Sequence, residues 1–375
     1  MTECRGAGGL HAYHPSMSLG GFSFRLVPVL VLAAGILFGL FAGSVQASGV
    51  LRVLAWPGYA DEEVVRSFER VSGVRVELSI VDSDESLWQK VSANGGRDFD
   101  VMAVNTAELQ RYIAAGLVQP VDPARIAGTR RQLPRFRQLS EIPGLVHVRK
   151  GRTEAYAIPY TYSTMGLIYD RRQFAAAPTS ISTLWDPRYQ GRVLAYGGGS
   201  HSFSLAAQSL GVASPFRLQG GQWAQAVDRL IELRRNVLGF YTRPEESVRL
   251  FLRHRTALMF ANYGLQQLHM LRAAGADVGY VIPREGALAW LDCWAITRGA
   301  RDVALAHAWI DHLLGDTASG LLVRRQGLAN TLVESDAGGP ADRIVWLAEV
   351  EDAARRERLW ARIHSGDRAA RVLAP

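Results

Sequence analysis

The chain has 375 residues, of which 48% are hydrophobic, 9% aromatic and 21% charged. This length and composition are typical of a packed protein large enough for two lobes, and they exclude a disordered chain, a disulfide-stapled miniprotein and a coiled coil. The formal charge of +7 comes from arginines scattered among acidic neighbours rather than from one basic stripe, so we expect no nucleic-acid partner.

The N-terminal segment has the pattern of a secretory signal peptide. Residues 26–43 form an uncharged apolar run that follows Arg25, and small residues stand at Val45 and Ala47. A basic residue, an apolar core and a small-residue site in this order predict cleavage after Ala47, with residues 1–47 as the signal peptide and a periplasmic mature protein. The apolar run is also long enough to span a bilayer, so an uncleaved membrane anchor is the alternative.

The first part of the mature chain alternates strand and helix patterns. Strands are predicted at 51–56, 73–78 and 99–104, and helices at 61–71, 85–92 and 108–115. This alternation indicates βαβ units with right-handed crossovers and a largely parallel sheet. Because ligands bind at the carboxyl ends of parallel strands, we expect the loops at 56–59, 81–85 and 105–106 to share one edge of the sheet.

The rest of the chain continues the alternation without an internal repeat. Further strands are predicted at 156–160, 165–169, 191–195, 256–260, 278–282 and 293–296. Further helices are predicted at 203–210, 222–236, 245–254, 303–314 and 318–325, followed by a charged amphipathic helix from about 345 to 364. The fold class predicted from these patterns is α/β.

Short motifs in a characteristic order run through nearly all of the mature chain. They stand at 54–59, 68–69, 72–76, 99–102, 116–122, 157–160, 183–191, 283–286 and 290–292. In order and spacing they resemble the spermidine/putrescine-binding family, the extracellular solute-binding proteins of ABC importers. The resemblance implies the two-lobed periplasmic binding protein fold of type II, in which each lobe is a mainly parallel sheet flanked by helices and the ligand cleft lies between the lobes.

The resemblance also implies a division of the chain and a function. The N-terminal lobe is expected to comprise 48–161 and about 292–332, and the C-terminal lobe about 162–291 and 333–375. The expected function is capture of a polyamine or related small cationic amine by hinge closure, followed by delivery to the inner-membrane ABC permease. We expect a monomer that is not an enzyme and that needs no cofactor or metal.

Six residues match ligand-binding positions of the family: Trp56, Tyr59, Asn105, Tyr263, Trp290 and Asp292. A polyamine needs carboxylates or carbonyls for its ammonium groups and aromatic faces for its methylene chain. Trp290 and Asp292, spaced i, i+2, should point to one side of a strand or turn, and the family uses this pair as an aromatic wall and an ammonium-binding carboxylate. The structural alternatives are a core tryptophan with a capping aspartate, a lobe-interface plug for Trp56 and a helix cap for Asn105.

Several acidic positions of the family carry other residues in this chain. Gly58, Gly197, Gly198 and His201 align with carboxylates, and Ala261 aligns with a second wall tryptophan, for which Tyr263 is a possible replacement. Because a buried ammonium group without a partner is costly, these changes argue against a highly charged polycation. A short diamine, an acetylated polyamine and a quaternary ammonium ion all suit a single anchor at Asp292.

Other readings of the same residues stay open. The acidic loop 82–85 is either a second cation anchor or a helix cap. The glycines at 197–199, before a helix expected from Ser202, are alternatively a backbone cradle for an anion. A sensory or scaffold role is also compatible with this fold. An exported enzyme and an iron site have little support, because the chain has no HExxH, GxSxG or phosphate-loop motif and no adjacent tyrosines.

Overall fold

The computed structural model describes residues 49–334 and 343–374. The predicted signal peptide and its cleavage after Ala47 lie outside the described residues. Within the described ranges, none of the helices combines the length and apolar character needed to cross a membrane.

The first strand and helix show how the local sequence builds the fold. The strand β1 (Val50–Ala55) leads into the helix α1 (Glu62–Ser72). Asp61 begins the helix by accepting a hydrogen bond from the backbone N–H of Glu63, as a short polar residue does at a helix N-cap. Gly73 ends it with a φ of 70°, a conformation that favours glycine.

The remaining elements follow in chain order. The strands are β2 (Arg75–Ile80), β3 (Val101–Asn105), β4 (Val118–Gln119), β5 (Val146–Arg149), β6 (Arg152–Ala155), β7 (Ala157–Met165), β8 (Leu167–Asp170), β9 (Val193–Tyr196), β10 (Gly239–Tyr241), β11 (Leu258–Phe260), β12 (Val278–Val281), β13 (Ala287–Thr297), β14 (Ala329–Asn330) and β15 (Ile344–Trp346). The helices are α2 (Asp84–Ser92), α3 (Thr106–Ala114), α4 (Pro134–Arg137), α5 (Gly199–Ser209), α6 (Gln222–Asn236), α7 (Pro244–Arg253), α8 (Leu265–Ala273), α9 (Val303–Leu313), α10 (Asp316–Gln326), α11 (Ala353–His364) and α12 (Ala369–Val372).

Two mixed sheets carry the fold. The first has the strand order β14-β7-β13-β3-β1-β2, with β4 and β15 also paired to β13. The second has the order β10-β9-β11-β8-β12. Each is parallel where the strands come from βαβ units, at β2-β1-β3 and at β10-β9-β11. Each is antiparallel where β13 pairs with β3 and β7 and where β8 pairs with β11 and β12.

The chain passes from one sheet to the other at short connections. Between β7 and β8 the connection is the single residue Gly166. A Cβ at this position would lie 2.5 Å from the carbonyl oxygen of Val281, so the close approach of the two crossing segments requires glycine. The lobe boundaries expected at 161 and 292 fall inside β7 and β13, which belong to the first sheet along their whole lengths.

The C-terminal part differs from the sequence prediction. The charged helix expected from about 345 begins only at Ala353, where Asp352 accepts a hydrogen bond from the backbone N–H of Arg355. Residues Ile344–Trp346 instead form β15, parallel to Ala287–Ala289. The predicted helix start was wrong because pairing with a distant strand decides the conformation of these β-branched and aromatic residues.

Candidate functional site

A cavity lies where the carboxyl ends of the β1 and β3 strands meet the second sheet. Its volume is about 30 Å³. All six residues predicted for ligand binding line it, together with four others: Trp56, Tyr59, Asp84, Asn105, Tyr196, His201, Asn262, Tyr263, Trp290 and Asp292. The expectation that the loops after β1, β2 and β3 share one edge is met, because each contributes side chains to this cavity.

Asp292 lies in the middle of β13, at a β-bulge between Asp292 and Cys293. The hydroxyl group of Tyr59 donates a hydrogen bond of 2.6 Å to its Oδ2 atom. Only 6% of the residue is exposed, and within residues 49–334 and 343–374 it forms no ion pair with a Lys, Arg or His side chain. Its place inside a strand also removes the alternative that Asp292 caps the following segment.

The pKa of the Asp292 carboxyl group is raised to about 7. Burial is the main cause, because it disfavours the charged form. The hydrogen bond from Tyr59 acts in the opposite direction, and the nearby Asp84 carboxylate raises the pKa further. A cation placed beside Asp292 would remove this cost, since it stabilises the ionised carboxylate.

Aromatic rings from both lobes line the cavity that contains Asp292. The rings of Tyr59 and Trp290 lie with centroids 6.4 Å apart and planes inclined by 36°. The indole Nε1–H of Trp290 donates a hydrogen bond of 3.0 Å to the carbonyl oxygen of Asn262 in the second sheet's lobe. Trp290 and Asp292 therefore face the same cavity, as their i, i+2 spacing in a strand predicts.

Asn105 combines the two uses that its sequence position allowed. Its Oδ1 atom accepts a hydrogen bond of 2.9 Å from the backbone N–H of Glu108 and so caps α3. Its Nδ2 atom donates one of 3.0 Å to Oδ1 of Asp84. The side-chain carbonyl of Asn105 is therefore bonded to the helix backbone, and its NH₂ group is bonded to the cavity residue Asp84.

The loop at 82–85 likewise divides its polar groups between two tasks. The Ser83 hydroxyl caps α2 by accepting from the backbone N–H of Ser86 at 3.1 Å, which leaves the Asp84 carboxylate to line the cavity. Burial raises the pKa of Asp84, while the Arg111 guanidinium acts to lower it. The nearby Glu108 also has a raised pKa because of burial and because of Asp84.

The glycine segment does not form the anion cradle that the sequence left open. The helix α5 begins at Gly199, not at Ser202, and its first turn is occupied by a carboxylate of the chain itself. The backbone N–H of Ser200 donates to Oε1 of Glu357 at 3.2 Å, and a Cβ at Gly199 would lie 2.6 Å from the same atom. A helix N-terminus attracts negative charge, and in this protein Glu357 of α11 supplies it.

Several polar contacts join the two sides of the cleft. The Tyr196 hydroxyl donates to the carbonyl oxygen of Asp82 at 3.2 Å. The Tyr263 hydroxyl lies 3.3 Å from the same oxygen and 2.5 Å from that of Thr242. His201 lies 3.5 Å from Asp84, measured from Nε2 to Oδ2. The cavity is therefore closed by side chains of both lobes.

Sequence reasoning did not name Tyr196 and Asn262 as ligand-binding candidates, and it treated His201 only as a replaced acid. Tyr196 ends a buried strand, which in a parallel sheet is the position from which side chains reach a cleft. Asn262 stands directly before Tyr263 and the positive-φ residue Gly264, which gives a turn signal but no direction for the side chain.

Comparison with known proteins identifies the family. The profile of the bacterial extracellular solute-binding proteins matches residues 63–337. The Escherichia coli putrescine-binding periplasmic protein PotF is 25% identical over 298 residues, which cover 76% of this chain and 78% of that protein. The Haemophilus influenzae spermidine/putrescine-binding periplasmic protein 1 is 21% identical over 298 residues, with 79% of each chain covered.

Solved structures share the fold. A putative spermidine/putrescine ABC transporter protein from Listeria monocytogenes superposes with a TM-score of 0.72 at 20% identity, covering 85% of this chain and 98% of that one. A periplasmic binding protein from A. tumefacien R10 in complex with agropinic acid gives a TM-score of 0.60 at 17% identity, covering 84% and 96%. The predicted two-lobed fold and the family resemblance are confirmed, and the chain belongs to the family of bacterial extracellular solute-binding proteins.

Proposed function

We propose that this protein is the periplasmic solute-binding component of an ABC importer and that it binds a small cationic amine between its lobes. It acts as a monomer without cofactor or metal, performs no catalysis, and delivers the amine to an inner-membrane permease. The two sheets form the two lobes, and the chain crosses between them at Gly166, at residues 282–286 and again between β15 and α11, which packs on α5 and α6. The curated relatives named for putrescine and spermidine support this assignment.

The burial of Asp292 carries the proposal. A buried carboxylate is stable in its ionised form only when cations or hydrogen-bond donors replace the water that it has lost. Tyr59 supplies one donor, and no ion pair to Asp292 occurs in the described part of the chain. An alkylammonium ion offers several N–H donors and a positive charge, while its carbon chain contacts the rings of Tyr59 and Trp290.

Hinge closure follows from where these side chains stand. Asp292, Tyr59 and Trp290 belong to the lobe of the first sheet, whereas Tyr263 and Asn262 belong to the other. A ligand that contacts both groups binds more tightly to the closed arrangement than to the open one, and so it shifts the population towards closure. A permease can then recognise the closed form. The same mechanism would serve a sensory receptor.

A thermal-shift screen tests the proposal. The protein is expressed for export, purified, and heated with putrescine, spermidine, n-butylamine or choline, with sodium sulfate and sodium phosphate as anion controls. We expect at least one amine to raise the melting temperature, because a ligand that binds only the folded state stabilises it. Stabilisation by the anions alone would refute a cation site.

Transport and sensing are separated by a second measurement. Proteoliposomes that contain a cognate ABC permease with its periplasmic face outward and ATP enclosed would take up labelled amine in the presence of this protein if it serves import. Amine binding without any stimulation of permease ATPase activity would contradict the importer assignment but not the amine site.

A further inference from the structure

The imidazole ring of His201 bridges two residues in the cleft. Its Nδ1 atom lies 2.8 Å from Oδ1 of Asn262, and its Nε2 atom lies 3.5 Å from Oδ2 of Asp84. Asp84 belongs to α2 of the first lobe, whereas His201 and Asn262 belong to the second. Because the Asn262 oxygen is an acceptor, Nδ1 carries the hydrogen of that bond. Burial lowers the pKa of the His201 imidazole, so the ring lies against the Asp84 carboxylate as a neutral group that covers it, not as its ion-pair partner.

The ring position is held by a rigid backbone frame. His201 stands in the first turn of α5, and three side chains of α11 fix the residues before it. Trp360 Nε1 donates to the carbonyl oxygen of Gly197 at 2.8 Å, Arg356 donates to that of Ser200 at 2.9 Å, and Glu357 accepts from Ser200 N–H at 3.2 Å. The side chain of His201 is only 12% exposed, so it cannot turn into solvent without opening the cleft.

The two cavity carboxylates, Asp84 and Asp292, differ in how many of their oxygen atoms are covered by other side chains. Oδ1 of Asp84 accepts a hydrogen bond of 3.0 Å from Asn105, and its Oδ2 atom faces the His201 ring, with Nε2 at 3.5 Å. Among the described residues, the Asp292 carboxylate accepts one side-chain hydrogen bond, from Tyr59 to Oδ2. A cation that enters the cavity therefore finds at Asp292 a carboxylate without a ring against it, whereas at Asp84 one oxygen bonds Asn105 and the other is covered by the His201 ring.

We infer that His201 is a specificity residue: its ring takes the place on Asp84 that the second ammonium group of a diamine would need, so the site selects amines with one cationic group. This rests on the proposed amine site at Asp292. The free volume of about 30 Å³ holds roughly one or two water molecules. An amine chain is accommodated only by side-chain movement or a wider cleft, and the frame around His201 makes the Asp84 side the less yielding one.

The cost of placing a second ammonium group beside Asp84 explains the expected selectivity. A diamine would either displace the ring of His201 from Asp84, breaking its contacts with both lobes, or leave its second ammonium group buried without a partner. A monoamine of the same chain length meets neither cost. A quaternary ammonium ion also meets neither, because its single charge is held by Asp292 and by the faces of Tyr59 and Trp290.

Isothermal titration calorimetry with a matched pair of ligands tests this inference. n-Butylamine and putrescine have the same four-carbon chain and differ in the second amine. We expect the wild-type protein to bind n-butylamine roughly tenfold or more tightly than putrescine. In His201→Ala the affinity for putrescine should rise by roughly tenfold, with little change for n-butylamine. His254→Ala, at an exposed residue outside the cleft, should change neither.

A second set of variants separates specificity from mere loosening of the fold. His201→Gln keeps a polar side chain without the ring and should also relax the preference, so it tests the inference even where the alanine variant is poorly folded. In His201→Ala the further change Asp84→Asn should remove the gain for putrescine, because the vacated carboxylate is what attracts its second ammonium group.

Each result bears on the inference. A wild-type preference for putrescine over n-butylamine, or an unchanged preference in both His201 variants, would overturn it while the amine site at Asp292 stands. Binding of neither amine nor choline to the wild-type protein would overturn the proposed function and this inference together.

Discussion

The hydroxyl group of Tyr59 donates a hydrogen bond of 2.6 Å to the carboxylate of Asp292, across 233 positions of the chain. This bond joins the loop after the first strand to the long strand β13, and it orients the buried carboxylate without neutralising it. Tyr160 holds Tyr59 in turn, because its hydroxyl donates to the Tyr59 carbonyl oxygen at 2.9 Å. The anion in the cleft is therefore prepared for a cation before any ligand arrives.

Asp292→Asn should abolish most of the amine affinity and stabilise the unliganded protein. Asparagine keeps the shape and an acceptor for Tyr59 but removes the buried charge, so we expect a loss of about 2–5 kcal/mol of binding free energy. The melting temperature without ligand should rise, since an uncompensated buried carboxylate is costly. Calorimetric titration and differential scanning calorimetry measure the two effects. Asp316→Asn, on a side chain 86% exposed, is the control; equal affinities for both variants would contradict the role of Asp292.

The affinity for an amine should fall as the pH drops below about 7, which is the raised pKa of Asp292. The amine stays protonated throughout, but it requires the ionised carboxylate, so the affinity decreases by up to about tenfold for each pH unit below that pKa. The groups facing Asp292 are Tyr59, a donor to it, and Asp84, whose own raised pKa acts in the same direction. Titrations in buffers of different ionisation enthalpy should also show proton release on binding.

The stability of the unliganded protein should respond to pH with the opposite sign. Because the folded-state pKa of Asp292 lies above its ordinary value of about 4, the folded state binds more protons in the window from there to about 7. Its free energy of unfolding therefore decreases as the pH rises through that window. Urea unfolding of wild type and Asp292→Asn at several pH values isolates this contribution, and parallel pH profiles for the two proteins would refute it.

Trp290 should contribute to binding through both its face and its N–H group. Trp290→Ala leaves a cavity and should lower the free energy of unfolding by about 3–5 kcal/mol, with loss of amine binding. Trp290→Phe keeps an aromatic face but loses the hydrogen bond to the Asn262 carbonyl oxygen across the cleft. This loss should lower the free energy of unfolding by about 1 kcal/mol. Trp346→Phe, at a residue 45% exposed, is the control. An affinity for amines in Trp290→Ala equal to that of wild type would exclude the ring from the site.

Glu357 should support the cleft without touching the ligand. Glu357→Ala removes the carboxylate from the first turn of α5, which should weaken that turn by about 1 kcal/mol and speed hydrogen exchange at the Ser200 amide. The affinity for n-butylamine should change little, whereas its preference over putrescine should narrow, because the helical turn that carries His201 becomes less ordered. Glu357→Gln keeps a hydrogen-bond acceptor, so its hydrogen-exchange rate at Ser200 should lie between those of the wild type and Glu357→Ala. Glu232→Ala, on a side chain 58% exposed, is the matched surface control, and unchanged exchange at Ser200 would contradict the role of Glu357.

Local sequence patterns were sufficient for much of the fold. The helix at 222–236 was predicted with the bounds that α6 has in the structure, because an amphipathic period of this length is unambiguous. Trp290 and Asp292 face the same cavity, as their i, i+2 spacing in a strand or turn predicted, although the predicted strand at 293–296 did not include them. The strand that carries them was predicted too short, since β13 is buried along its whole length and therefore shows no alternation.

By itself, the sequence determined the alternation of strands and helices, the family, and the six side chains that meet in one cleft, because each is recorded in residues close together or in the order of motifs. Only the tertiary structure decided which partners those side chains have. Glu357 at the start of α5, and His201 beside Asp84, are contacts between residues more than a hundred positions apart. Such contacts depend on how lobes and helices pack, and no period or motif encodes that packing. The sequence showed only that acidic residues were missing from the cleft. The structure shows that one of the replacements, His201, lies against the remaining carboxylate of Asp84.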